Sequence, residues 1–241
     1  MPKNETRSDT SSSSANRAIF PEIAAESLTE KVIATLKDAF FSGQLRPGDA
    51  IVERQLAQQM KIGSPAVREA LITLQQQGFV KRVANTGTYV NSLTVDEVRQ
   101  SYQLRIELEL LALKWAKQHV KEADFTALEQ LVDSMTTAAT QRRAREFFEQ
   151  DLEFHRYCWK LAGNKYLERS LENLVPPLFA FVLNANQNTV KESIAKQHLQ
   201  IISALKNAFE PDFTTIIREA LDTFALEAIS SIAEGNHGRT I

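Results

Sequence analysis

Residues 60–80 read MKIGSPAVREALITLQQQGFV, and their reading decides the fold of the first third of the chain. Val67, Ala70, Leu71 and Leu74 recur at the three- and four-residue spacing of one helix face. Arg68 lies off that stripe, near the start of the helix, and projects away from the core. Upstream, Leu28, Val32, Leu36 and Ala39 repeat at helical spacing until FSGQLRPGD, where Gly43, Pro47 and Gly48 end the pattern. A second short pattern, VERQLAQQM, is joined to the quoted stretch only by Lys61, Ile62 and Gly63. Two short helices joined that tightly predict a helix-turn-helix. After Gly78 the period changes. FVKRV and TYVNS are β-rich runs separated by ANTG, in which Asn85 and Gly87 carry hairpin-turn chemistry. Residues 26–92 are thus expected to form a winged helix, three helices plus a two-stranded wing.

Composition narrows the function classes. The chain has 241 residues, 43% of them hydrophobic, enough for a real core. A single cysteine, Cys158, excludes a disulfide framework and points to a reducing compartment. No stretch approaches the roughly 20 apolar residues of a membrane helix, and the N-terminus lacks an apolar export signal, so the expectation is a cytoplasmic protein with no membrane partner. Net charge is −2, but it divides unevenly: up to Ser92 there are 11 basic against 9 acidic residues, and beyond it 17 against 21. That balance permits a nucleic-acid partner for the first part without demanding one.

Residues 1–25 hold the serine run SDTSSSSANR and no apolar period, which predicts a disordered tail. From residue 93 to 235 the pattern is all-helical, opening with TVDE, a Thr-x-x-Glu capping box. Helices are expected near 95–119, 122–140, 144–162, 165–185, 190–209 and 212–234, with breaks at AGN, PP and FEPD. The fold class is therefore mainly α, a winged helix-turn-helix followed by an all-α bundle.

The second helix of a helix-turn-helix lies in the major groove with its N-terminal residues toward the bases. Ser64, Pro65 and Arg68 occupy that end. The Arg68 guanidinium can fork onto guanine O6 and N7 or clamp a phosphate. Arg54, at the start of the preceding helix, is placed for the backbone or groove edge. Thr86 and Gly87, at the wing tip, suit close approach to the sugar-phosphate chain. The plainer alternative is a surface arginine paired with Glu69 or Asp49.

The segment from LTEKVIATLKDAFF through SGQLRPGD, VERQLAQQM and AVREALITLQQQGFV to TYV resembles the winged-helix domain of the GntR superfamily of bacterial transcription regulators. The resemblance implies operator contacts at Arg54, Ser64, Pro65, Arg68 and Gly87. It also exposes a departure: the family usually has arginine where this chain has Ser64, and Ser or Thr where it has Pro65. One guanidinium contact is thereby lost, worth about 1 to 3 kcal/mol if bidentate, so the preferred operator is expected to differ.

In the second half, ionisable residues stand among apolar ones. Asp151 and His155, four apart, share a face with Phe148, Leu152, Cys158, Trp159 and Ala162. His198 lies among Ile194, Ile201, Ile202 and Leu205, and Arg105 and Glu109 among Val98, Tyr102, Ala112 and Ala116. Such groups need partners, because unpaired burial costs several kcal/mol. One reading pairs them structurally, Asp151 with His155 and Arg105 with Glu109, with His198 a satisfied core histidine. The other joins them in a polar chamber in which Asp151, His155 and His198 hold a divalent metal such as Zn, Ni or Mn. His119 and His237 are read as surface residues.

LRIELELLALKWA, DLEFHRYCWKLAGNKYL and KQHLQIISAL resemble the FadR-type effector-binding domain, the FCD domain. The resemblance implies a metal held by one Asp and three His, with a small carboxylate effector completing the coordination. Asp151, His155 and His198 match three of those positions; the inward residue expected at the fourth is Phe224, which cannot ligate. A homodimeric, one-component regulator follows: double-stranded operator DNA is held by the winged helices, and an organic acid binds near Arg105, Glu109, Asp151, His155 and His198. Two rival readings are a metal-dependent hydrolase using Asp151, His155 and His198, for which no separate general base or nucleophile motif is evident, and an effector-free DNA-binding protein.

Overall fold

The computed structural model describes residues 28–185 and 190–236. The expected tail over residues 1–25 and His237 lie outside the described residues. The first element, α1 (Leu28–Phe41), buries Val32, Leu36 and Phe40 at successive turns. After β1 (Ala50–Ile51) come α2 (Glu53–Met60) and α3 (Ser64–Gln76), joined through Lys61 in a left-handed conformation whose N–H bonds back to Ala57 and Gln58. Pro65 sits in the first turn of α3, where a missing N–H costs no helical bond, and Val67, Ala70, Leu71 and Leu74 are buried as their spacing predicts.

The wing consists of β2 (Val80–Val83) and β3 (Gly87–Val90), paired from Val80↔Val90 to Val83↔Gly87, with Asn85 left-handed at the turn. It has a third strand that the sequence pattern does not reveal. Ala50 and Ile51 pair antiparallel with Tyr89 and Thr88, giving the order β1-β3-β2. Two residues are too few to show an alternation, and the pairing exists only because the chain returns from α1 beside β3.

Six helices follow: α4 (Val95–Ala116), α5 (Glu122–Thr140), α6 (Ala144–Leu161), α7 (Lys165–Ala185), α8 (Glu192–Asn207) and α9 (Asp212–Asn236). The capping box at α4 forms as expected: Thr94 Oγ1 accepts from the Glu97 N–H, and the Glu97 carboxylate accepts from the Thr94 N–H. Among the described residues all strands precede this point. Buried faces of all six helices make one core, from Val98 and Leu128 to Phe154, Leu178, Ile201 and Ile217.

The expected break at Pro176-Pro177 does not occur; both prolines lie inside α7. A proline in a helix loses one i→i−4 bond, but here the helix is held from both sides. Leu171, Val175 and Phe179 pack into one part of the bundle, while Ala180 joins the core of the winged helix. Pro177 also lies beside Gly78, where an added Cβ would be 3.6 Å from Cγ of the ring and 3.8 Å from the Asn173 carbonyl oxygen. That carbonyl is the one whose helical partner Pro177 cannot supply. Two further contacts join the halves: Asn184 donates to the Phe40 carbonyl at 2.7 Å, and Arg145 pairs with Asp38 at 2.7 Å.

Candidate functional site

The helix-turn-helix presents Arg54, Ser64, Pro65, Arg68, Thr86 and Gly87 on the surface, all exposed. Arg68 pairs with neither Glu69 nor Asp49. Its Nε donates to Glu53 Oε2 at 3.2 Å, while Glu69 accepts from Thr29 and Asp49 from the Arg46 N–H. Glu53 also faces Arg82 Nη2 at 3.5 Å. One carboxylate on α2 therefore gathers an arginine from α3 and another from the wing. Both arginine side chains stay more than half exposed, so this contact is weak in water and can be exchanged for phosphate or base edges. Arg82 is absent from the sequence-level set. The Lys81-Arg82 pair beside the turn was its only signal, since β2 alone does not place it against α2.

The second constellation is buried. Arg105 and Glu109 project one turn apart from α4 and are 2% and 1% exposed. Arg105 Nε donates to Glu109 Oε1 at 2.7 Å, and its guanidinium lies over the rings of Phe179 at 4.7 Å and Tyr102 at 5.5 Å. His155, on α6, places Nδ1 2.6 Å from Glu109 Oε2 and Nε2 2.8 Å from Arg105 Nη2 and 3.3 Å from Asp151 Oδ1. His198, on α8, puts Nε2 3.0 Å from the same Asp151 oxygen and Nδ1 3.1 Å from the Ile194 carbonyl. Four helices thus deliver one network, since Phe179 comes from α7. The structural pairs considered from sequence are present, but cross-bonds between them make a single chamber.

Electrostatics follow from this packing. Burial opposes the charged form of Glu109, but Arg105 and His155 outweigh it and hold the carboxyl at about 2. Against the same burial, hydrogen bonds from His155 and His198 keep Asp151 well below the usual carboxylate range. Burial also opposes the His155 imidazolium, yet Glu109 beside it carries its pKa above the ordinary value. Tyr102, buried next to the network, is pushed up to about 12. Burial raises the Cys158 thiol far above its usual range, so Cys158 stays an inert apolar residue. His119 is exposed, with Nδ1 3.0 Å from the Trp115 carbonyl oxygen, and takes no part.

Two known families match this chain. The family described as bacterial regulatory proteins, gntR family, matches residues 28–90, and the FCD domain matches residues 100–223. The chain belongs to the GntR family. Relatives of this GntR regulator include the HTH-type transcriptional regulator YdhC of Bacillus subtilis, 29% identical over 71% of this chain and 77% of that protein. The HTH-type transcriptional repressor RspR of Escherichia coli is 26% identical over 67% and 72%. The gluconate operon transcriptional repressor of Bacillus licheniformis is 24% identical over 80% and 83%. In fold it resembles E. coli McbR/YncC, with a TM-score of 0.74 at 20% identity over 87% of this chain and 99% of that one. A transcriptional regulator from Rhodococcus sp. RHA1 gives a TM-score of 0.68 at 19% identity, covering 86% and 97%. The GntR regulator is thus a DNA-binding transcriptional regulator with an FCD domain. Its matched families and relatives are regulators rather than enzymes, which retires the hydrolase reading. No helix among the described residues is long and apolar enough to cross a membrane.

The donor chemistry of Asp151, His155 and His198 suits a divalent ion. Each imidazole has its Nδ1 directed at an acceptor, Glu109 or the Ile194 carbonyl, which leaves Nε2 for the ion, the usual outer-shell arrangement of metal-binding histidines. The ligand atoms all lie within 4.8 Å of one another. The 3.3 Å separation of His155 Nε2 from Asp151 Oδ1 is close to the edge of a tetrahedron with bonds of about 2.0 to 2.1 Å, and the 3.0 Å separation of His198 Nε2 is shorter than that edge. Phe224 of α9, standing where the resemblance implies a fourth ligand, has no donor atom. It sets its ring 4.8 Å from that of His198 and 6.5 Å from that of His155.

Proposed function

We propose that this GntR regulator is a homodimer that senses a small organic carboxylate in its FCD domain and transmits binding to the operator through its winged helices. The observation that carries the reading is the convergence of two imidazole Nε2 atoms and one carboxylate beside the buried Arg105 guanidinium. The charges there do not favour an anion unaided: Glu109 and Asp151 offset Arg105 and the His155 imidazolium, so an incoming carboxylate would meet no excess of positive charge. An ion bound to Asp151, His155 and His198 supplies the missing positive charge and an open position for a carboxylate oxygen. Arg105 Nη2 lies 2.8 Å from His155 Nε2 and would have to give up that place to the ion, which would free the guanidinium to take the effector's other oxygen. One relative is named as the repressor of a gluconate operon, and gluconate is a carboxylate.

Dimerisation draws support from α4. Leu104 and Leu111, seven residues apart, are 52% and 37% exposed on a helix face separate from that of Arg105 and Glu109, with Leu108 partly exposed between them. Two winged helices in a dimer would address half-sites about 34 Å apart.

The test is calorimetric titration with carboxylates after EDTA treatment and again after zinc, nickel or manganese is restored, run beside operator mobility shifts. Metal-dependent carboxylate binding that changes operator affinity is expected, with a coupling of about 1 to 3 kcal/mol. An effector that binds without moving operator affinity would sink the sensing claim. If no carboxylate or metal shifts the melting temperature, the effector-free reading is correct.

A further inference from the structure

The chamber opens on one side into a cavity whose walls differ from its floor. Arg105 and Asp151 form the floor with Tyr102 beside them, and the cavity is partly open to solvent. Phe147, Phe148, Phe179 and Phe224 wall it, with Val182, Val190, Ile194 and Ala228 completing the apolar lining. Among the described residues, the only charged side chains away from the floor are Lys191 and Glu227.

An effector is held at one end by the floor and along its length by whatever faces the rest of it. A sugar acid would carry several hydroxyl groups into a space bounded by four phenyl rings. Each hydroxyl stripped of water without a new partner weakens binding by about tenfold. An aryl or alkyl body gains instead from burial against the same rings. Phe224 is central because its ring walls the cavity and stands 4.8 Å from that of His198, so the end of the cavity next to this histidine is apolar.

We infer that the effector of this regulator is a carboxylate with an apolar body, aryl or medium-chain alkyl, rather than a polyhydroxylated acid, and that Phe224 is a specificity-determining residue. This rests on the proposed carboxylate site and narrows its ligand class.

The experiment uses the full chain supplied with zinc and titrated with 3-phenylpropanoate, hexanoate, gluconate and 3-phenylpropanol. The inference expects 3-phenylpropanoate and hexanoate to bind at least tenfold more tightly than gluconate. Gluconate binding as tightly as either overturns it. If 3-phenylpropanol binds as well as the acid, the apolar selectivity stands while the carboxylate anchor beneath it fails. Phe224→Ser is expected to cost 3-phenylpropanoate about tenfold and Phe224→Leu less, with melting curves of the free variants confirming that each folds. Unchanged affinity in a folded Phe224→Ser protein overturns the role of this residue.

Discussion

Arg68 is exposed and paired with Glu53 in a contact that water weakens, so it is free to exchange that carboxylate for DNA. Replacing it with alanine is expected to weaken operator binding by about 1 to 3 kcal/mol and to relax preference at one base position. If Arg68 clamps only a phosphate, the loss is uniform across sequences and the salt slope falls by about one. Mobility shifts on operator variants at several salt concentrations separate these outcomes, and unchanged affinity in both would remove Arg68 from the interface. In the chamber, pH dependence follows from the two flanking groups. Glu109 is depressed from 4.5 to about 2, so its stabilising contribution is present above about pH 4.5 and is lost as pH falls toward 2. His155 is raised above 6.5, so its contribution is full below that value and disappears as pH rises through the folded pKa. The EDTA-treated protein should therefore melt highest between about pH 4.5 and 6.5. A melting temperature that stays level from pH 5 to 9 would contradict this.

Helix α7 touches both halves of the chain. Phe179 stacks under the Arg105 guanidinium, while Ala180 and Asn184, further along the helix, meet the core and the Phe40 carbonyl of the winged helix. On the proposed sensing role, a rearrangement at Arg105 would reach the DNA-binding half along α7. Asn184→Ala is expected to leave metal affinity unchanged and to reduce the effect of effector on operator affinity; an unaltered coupling in the variant would rule out this route. Where α7 meets the turn after α3, Gly78 adopts φ +78°, and an added Cβ would lie at ordinary contact distance from Pro177. Gly78→Ala should therefore be destabilising through backbone conformation rather than collision, by about 1 to 2 kcal/mol, or about 2 to 8 °C in Tm. Gly78→Asn should cost less, since asparagine tolerates the left-handed region. Equal melting of the alanine variant and the parent would refute the backbone argument.

For the molecule as a whole, the exposed leucines of α4 make the proposed dimer testable. A charge at Leu104 or Leu111 would be buried between protomers, and Leu111→Glu is expected to weaken association by about 100-fold or more. Sedimentation should then show monomer at concentrations where the parent is dimeric, with a matching fall in operator affinity. Retention of the dimer would move the interface away from this face of α4.

The local rules of the chain were enough to define its two-part plan. Helical spacing around Val67, Ala70, Leu71 and Leu74, the punctuation at Gly43, Pro47 and Gly48, and the Thr94–Glu97 cap act over a few residues, where propensity and hydrogen bonding are written directly in neighbours. The same patterns singled out Arg105, Asp151, His155 and His198 as polar groups on apolar faces. What only the tertiary structure decided depends on residues far apart in the chain. Glu53 joins Arg68 to Arg82, Asp151 Oδ1 lies 3.0 Å from His198 Nε2, Ala50 pairs with Tyr89, and α7 runs unbroken through two prolines because two cores hold it. Spacing along one helix orients a side chain, but its partner is chosen by which helix packs against that face, and that is a property of the folded core as a whole.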